Sequence, residues 1–407
     1  LWASHGADED GAFAYNVVVL AAALALLTTP PDVDPIALHR LLRRCAESQT
    51  WGLVVWRDGK PIVERDNGPQ PTCNLMSATK SITSLAVGLL IDQGRIPSVD
   101  TPVQKFFPKY VGKWKERVTV RHLLDHTSGI RTYADDPNAK DFPLNRVASA
   151  LGAPVVTEPG TVFAYNNRAV DLLSGVVRRA AGMPLDEFVD KRIFKPLGIS
   201  AYYWMRDPDG NPHGCAELFI TPRDMAKIGQ LMLDRGVWRG KRLLSEKYVV
   251  DATTMSKISD KEGTPCGWLW WICDPWFTID DESMRSFEKA GLSDGQLQRL
   301  RPLIGGRWPS PRELGFDVMH VMGGADAEKN GLDKLGDLTD HVSNAPDYYD
   351  VTGYAALGWG GQMILVIPED RIVAVRTCGS GFFDTKDVSK YEMGDFYRLV
   401  RALVRPK

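Results

Sequence analysis

The sequence predicts an α+β fold: one antiparallel sheet formed from both chain ends and flanked by helices, with a mostly helical region inserted. Three observations carry this expectation. An early pair of β-rich runs, residues 51–56 and 61–64, is joined through Asp58-Gly59, a favoured two-residue hairpin turn. A late pair, residues 361–367 and 371–378, is separated by Pro368-Glu369-Asp370. Between them the apolar spacing is helical rather than alternating. Hairpins at both ends with helices between them suit a single sheet that receives both ends of the chain.

Taken in order, residues 17–27 are an unbroken apolar run, VVVLAAALALL, too short to span a bilayer. The length suits the hydrophobic part of an export signal, although Asp8, Glu9 and Asp10 stand where such a signal carries positive charge. A periplasmic or secreted location is the expectation, with the cytoplasm as the alternative. Pro30-Pro31-Asp32 reads as a linker, so residues 1–35 form an apolar segment and linker and residues 36–407 a single domain. Ile36, Leu38, Leu41 and Leu42 have helical spacing within 36–46. After the first hairpin, residues 78–94 form a long helix with Ile82, Leu85, Ala86, Leu89 and Leu90 on one face, and Gly94 placed to end it. Further helices are expected over 118–125, 167–181, 185–194 and 222–234, the last opened by Thr221 ahead of Pro222. The helical region thus spans about 111–250, and a helix over 391–404 closes the chain. Residues 278–350, rich in Gly, Asp and Lys with weak periodicity, read as a surface insertion from which a lid could be drawn.

A net charge of −2 with dispersed basic residues gives no electrostatic reason to expect nucleic acid or an anionic membrane. Six scattered cysteines form no C-x-x-C pair, and His122 and His126 are the only close histidine pair. No metal site and no cofactor is expected from such spacing.

The G-x-S-x-G elbow and the H-E-x-x-H zinc helix are both absent. The candidate for chemistry is Ser77-Ala78-Thr79-Lys80 at the start of the long helix. Residues three apart stack on one helical face, which brings the Lys80 amine to the Ser77 hydroxyl. A serine hydroxyl attacks only when a base takes its proton, and an amine in a desolvated site can do so. Ser286-Phe-Glu-Lys289 repeats the spacing inside the insertion, so the spacing alone decides nothing. Only Ser77 has a hairpin before it and an apolar helix behind it.

Two further strings complete the pattern: Tyr165-Asn166-Asn167, and Trp359-Gly360-Gly361-Gln362 leading into the late hairpin. With Ser77-x-x-Lys80, Tyr165-x-Asn167 and Trp359-Gly-Gly in this order, the chain resembles the β-lactamase-like serine hydrolases. That group includes class C β-lactamases, D-alanyl-D-alanine carboxypeptidases, related esterases and 6-aminohexanoate-dimer hydrolase. The stretches 120–129, 194–198, 207–210 and 218–224 support the likeness, the last two pointing to the 6-aminohexanoate-dimer hydrolase branch. The resemblance implies a β-lactamase/transpeptidase-like fold and a role for each motif residue. Ser77 would be acylated, Lys80 and Tyr165 would move its proton, and Asn167 would hold Lys80 and a substrate amide. The N–H groups of Ser77 and Gln362 would form the oxyanion hole, with Trp359, Gly360 and Gly361 lining it. His126 reads as a structural hydrogen-bonding residue rather than a base. The tryptophans of Gly267-Trp-Leu-Trp-Trp271 read first as strand core and second as an apolar acyl pocket.

Trp359 stands where antibiotic-cleaving and cell-wall members usually carry a cation or histidine, and a neutral indole offers no charge to a substrate carboxylate. The expected activity is therefore acyl-enzyme hydrolysis of a small-molecule carboxylic ester or small amide. The alternatives are a D-alanyl-D-alanine carboxypeptidase or β-lactamase, and a non-catalytic binding or sensor protein on the same fold.

Overall fold

A computed structural model describes residues 33–404 except 49, 67, 69–70, 137–143, 255, 257–265, 274–276, 309–310, 336–337, 339–341, 343–352 and 379–395. The apolar run 17–27 lies outside the described residues, as does the start of the expected closing helix. Among the described residues no helix is long and apolar enough to cross a membrane.

The main sheet has six strands: β1 (Thr50–Arg57), β2 (Lys60–Asp66), β3 (Trp271–Cys273), β4 (Gly353–Gly358), β5 (Gln362–Ile367) and β6 (Ile372–Cys378), in the order β2-β1-β6-β5-β4-β3. Every pairing is antiparallel, and β1 lies against β6, so the two chain ends meet at the centre. Asp58 and Gly59 both have positive φ, 49° and 71°, as the tight turn between β1 and β2 requires.

Alternation along the strands divides two cores. Leu53, Val55, Leu365, Ile367 and Ala374 face α1 (Pro35–Glu47) and α5 (Phe396–Arg401). Val54, Trp56, Ile364, Val366, Val373 and Val375 face the larger core, which holds α2 (Thr79–Asp92), α3 (Asn167–Ala181) and α4 (Pro222–Leu233). Thr221 caps α4, accepting the Asp224 N–H at 3.0 Å. The α4 backbone lies so close to the sheet that a Cβ on Gly229 would sit 2.5 Å from Val373 Cγ1.

The α+β architecture expected from the sequence is thus the observed one. Three features depart from the expectation in detail. The sheet has two strands more than the two hairpins, β3 and β4. A small three-stranded sheet, Cys73–Asn74, Leu218–Ile220 and Tyr202–Trp204, interrupts the helical middle. Residues 277–342 also enclose a core of their own, where Phe287, Leu300, Leu314 and Val318 pack from three short helices. Helices of two or three turns show little periodicity in sequence, which is why this region reads as unpatterned.

Candidate active site

The nucleophile turn is built by backbone geometry before any catalytic group is considered. Leu75 N–H donates to the Leu218 carbonyl at 2.8 Å, tying the turn to the small sheet. Met76 then takes a left-handed φ of 49°, and its N–H donates to Asn74 Oδ1 at 2.8 Å. A single 3₁₀ turn, Met76–Ala78, carries Ser77 into α2. That helix is buried all round through Leu90, not on one face only. Its polar side chains are satisfied by their surroundings: Ser81 Oγ donates to Leu269 O and Thr83 Oγ1 to Gly214 O.

Lys80 is 3% exposed, and its ammonium nitrogen donates to Ser77 Oγ at 2.9 Å and to the Cys215 carbonyl at 2.8 Å. Tyr165 Oη donates to the same Ser77 Oγ at 2.8 Å. The Lys80 nitrogen also sits 4.8 Å from the Tyr165 ring centroid. Two side chains, Lys80 from the next turn and Tyr165 from far along the chain, therefore converge on one oxygen. Tyr165 is held between rings, with His126 at 4.8 Å and Trp271, at the start of β3, stacked at 5.9 Å and 21°. The Cys215 peptide that receives Lys80 is itself anchored, its N–H donating to the buried Asp171 carboxylate at 3.2 Å.

The two neighbours of Tyr165 divide their duties differently from the family expectation. Asn166 caps α3, accepting the Ala169 N–H at 3.1 Å and donating to Ile130 O at 2.5 Å. Asn167 makes no hydrogen bond to Lys80. Its Oδ1 is buried without a hydrogen-bond partner among the described residues. The expectation that Asn167 holds Lys80 is corrected: the Cys215 carbonyl takes that place, because it comes within 2.8 Å of the ammonium nitrogen.

Trp359, 43% exposed, sits at the tip of the β4–β5 hairpin, where Gly360 and Gly361 adopt φ of 74° and 82°. Gln362 is buried, its side chain donating to Cys378 O at 3.1 Å and accepting from Cys378 N at 3.3 Å. Its side chain thus clamps β5 to β6. The position packed on the nucleophile turn is Gly358, which the sequence did not single out. A Cβ there would lie 2.2 Å from the Leu75 carbonyl oxygen. The second Ser-x-x-Lys string lies in the helix Asp281–Lys289 with Lys289 exposed, inside the separate core of residues 277–342.

Four contributors were missed or undervalued. Gly358 carries a signal only once the nucleophile turn is placed against it. Cys215 acts through its carbonyl, which every residue type possesses. Trp271 belonged to a noticed cluster, of which Trp268 and Trp270 are buried core members and Trp271 the one at the site. His126 is fully buried, and desolvation, with the Lys80 charge second, lowers its pKa to about 3. The ring is therefore neutral, and its Nδ1 accepts the Asn166 N–H at 3.1 Å. Among the described residues no group of three or more His, Cys, Asp or Glu side chains could hold a metal ion.

Comparison with known proteins gives the chain a family. The chain is 29% identical over 214 residues to esterase EstB of Burkholderia gladioli, covering 47% of this chain and 53% of the relative. It is 28% identical over 255 residues to the 6-aminohexanoate-dimer hydrolase of Paenarthrobacter ureafaciens, covering 55% and 60%. The chain thus spans little more than half the length of these relatives. A solved structure described as a 6-aminohexanoate-dimer hydrolase of Bacillus anthracis superposes with a TM-score of 0.61 at 18% identity, over 88% of this chain and 80% of that one, a likeness of fold. The profile of the beta-lactamase family matches residues 38–387, and the protein belongs to that family.

Proposed function

We propose that this protein is a serine hydrolase that cleaves a carboxylic ester or small amide through an acyl-enzyme on Ser77. The observation that carries the reading is the convergence of Lys80 Nζ and Tyr165 Oη on Ser77 Oγ, at 2.9 and 2.8 Å. In the first half-reaction the Lys80–Tyr165 pair acts in the form that has released one proton to solvent: Ser77 Oγ bonds to the substrate carbonyl carbon and its proton passes to that pair. That pair then returns a proton to the departing alcohol or amine as the carbon–leaving-group bond breaks. Water repeats the sequence in the second half-reaction, releasing the acid and restoring Ser77. The base role is assigned to the pair jointly, since both groups reach the same oxygen.

The oxyanion forming on the substrate needs two preorganised donors. One is the Ser77 N–H at the opening of the nucleophile helix. The sequence expectation for the second is the Gln362 N–H. The Gly358–Leu75 contact supports this by seating the β4–β5 hairpin, at whose far side Gln362 pairs with Gly358, on the nucleophile turn. Asn167 is the residue that the resemblance assigns to a substrate amide. Trp271, Tyr165 and Trp359 give the site aromatic walls, which supports an apolar group on the substrate. The names of the esterase and amide-hydrolase relatives agree with this class. The apolar run 17–27 supports action in the periplasm or outside the cell, with the cytoplasm as the alternative that cell fractionation tests.

A fluorophosphonate probe tests the nucleophile. Labelling of the wild type and its loss in Ser77→Ala are expected; an unlabelled, folded wild type or a fully labelled variant refutes the assignment. p-Nitrophenyl esters of graded acyl length, assayed beside short linear amides, then size the pocket and separate esterase from amidase. Turnover of nitrocefin exceeding that of every ester would move the assignment to β-lactams.

A further inference from the structure

We infer that His126 is a positioning residue for this reaction: it aims the Tyr165 hydroxyl at Ser77. The inference rests on the Ser77–Lys80–Tyr165 reading above and adds to it a residue outside the three motifs.

Tyr165 lies on an extended segment ahead of α3, and its hydroxyl sits at the end of a long side chain. A small shift of the segment is therefore carried out to the hydroxyl. His126 grips that segment on both sides of the tyrosine. Its carbonyl accepts the Ala164 N–H at 2.9 Å, and its Nδ1 accepts the Asn166 N–H at 3.1 Å. Its ring packs on the Tyr165 ring at 4.8 Å and meets Phe163 edge-on at 5.8 Å and 77°. One residue thus contacts four consecutive positions, Phe163 to Asn166. The grip depends on an unfavourable backbone conformation, since His126 has a φ of 59°, where residues bearing a Cβ are uncommon. Neither bond runs to Ser77 or Lys80, so the ring acts on the hydroxyl through Tyr165 and not as a base. Acceptance at Nδ1 requires a neutral ring with its proton on Nε2, which burial of the side chain favours.

Two measurements test this. Nitrogen-15 NMR of histidine-labelled wild type should show one ring in the neutral Nε2–H form throughout the neutral range. An Nδ1–H or doubly protonated His126 overturns the inference, because neither can accept from the Asn166 amide. The second measurement compares His126→Asn, His126→Gln and His126→Leu with two substrates of one acyl group, a methyl ester and a p-nitrophenyl ester. Asparagine places an acceptor near the position of Nδ1, while glutamine overreaches it and leucine offers none. His126→Asn should keep kcat/KM on the methyl ester within about threefold, and the other two should lose roughly 100-fold, the scale of a misplacement near 1 Å. On the p-nitrophenyl ester, whose leaving group departs unprotonated, the losses should shrink to about tenfold or less. Fluorophosphonate labelling of Ser77 should persist in all three, since fluoride also leaves unprotonated. Equal losses on both esters, or Gln matching Asn, overturn the inference. A wild type that the probe does not label refutes the Ser77 reading itself and removes the inference with it.

Discussion

Replacing Gly358 by alanine should separate the placement of the nucleophile from the stability of the fold. The new Cβ would stand 2.2 Å from the Leu75 carbonyl oxygen and 3.2 Å from its carbon, with Gln362 Cβ at 3.0 Å on another side. The first obstacle is backbone, so no side chain can swing aside. Either β4 or the nucleophile turn has to retreat by about 1 Å before ordinary van der Waals contact at 3.4 Å is restored. Leu75 is tied by its N–H to Leu218, and Ser77 follows two residues later. A shift of about 1 Å at a reacting group costs on the order of 100-fold in rate, while overpacking a tight site costs roughly 1–3 kcal/mol. The assay pairs the second-order rate of fluorophosphonate labelling with a urea melt. Gly94→Ala is the reference variant: it also carries a positive φ, 68°, but has open space around it at the far end of the same helix. It should lose stability by about 1 kcal/mol and keep its labelling rate. Gly358→Ala labelling within a factor of three or so of the reference would refute the claim that this contact sets Ser77.

Other outcomes follow from the same geometry. Tyr165→Phe removes the hydroxyl that donates to Ser77 Oγ, and kcat on an alkyl ester should fall by about 10²–10⁴, measured in steady state. Trp271→Ala deletes the ring stacked on Tyr165, a contact of about 0.5–1.5 kcal/mol, so kcat/KM for apolar acyl groups should drop roughly two- to tenfold. Asp125 is buried, and desolvation raises its pKa from 3.8 to about 6. Between those values the folded state holds a proton that the unfolded state has released, so stability declines as pH rises and the full cost, about 2–3 kcal/mol, is present above about pH 6. Asp125→Asn keeps the acceptor for Thr127 and removes the charge. Urea melts should then show a gain over wild type near pH 7.5 and almost none near pH 4.

The legible parts of the chain were those whose physics is local. A two-residue Asp-Gly turn needs positive φ at both positions whatever surrounds it, so the first hairpin could be read directly. The Thr221 cap of α4 and the three-residue spacing of Ser77 and Lys80 are equally short-range. β4 escaped because Tyr354-Ala355-Ala356-Leu357 has no alternation to read, while for β3, only three residues long, just the tryptophan cluster ending at Trp271 read as strand core. β3 becomes a strand by pairing with β4, about eighty residues further along the chain, and β4 by lying between β3 and β5.

By itself, then, the sequence determined the α+β class, the hairpins and long helices, and the pairing of Ser77 with Lys80, because these depend on dihedral preference and helical periodicity. The tertiary structure decided which atoms complete the site. Tyr165 Oη meets Ser77 across 88 residues, the Cys215 carbonyl reaches Lys80 across 135, and Gly358 supports the turn from another strand. Long-range packing makes those contacts, and two of them use backbone atoms that every residue shares. Residue identity named Tyr165 through its motif but could not announce the Cys215 carbonyl or the Gly358 contact; only the folded backbone places those two.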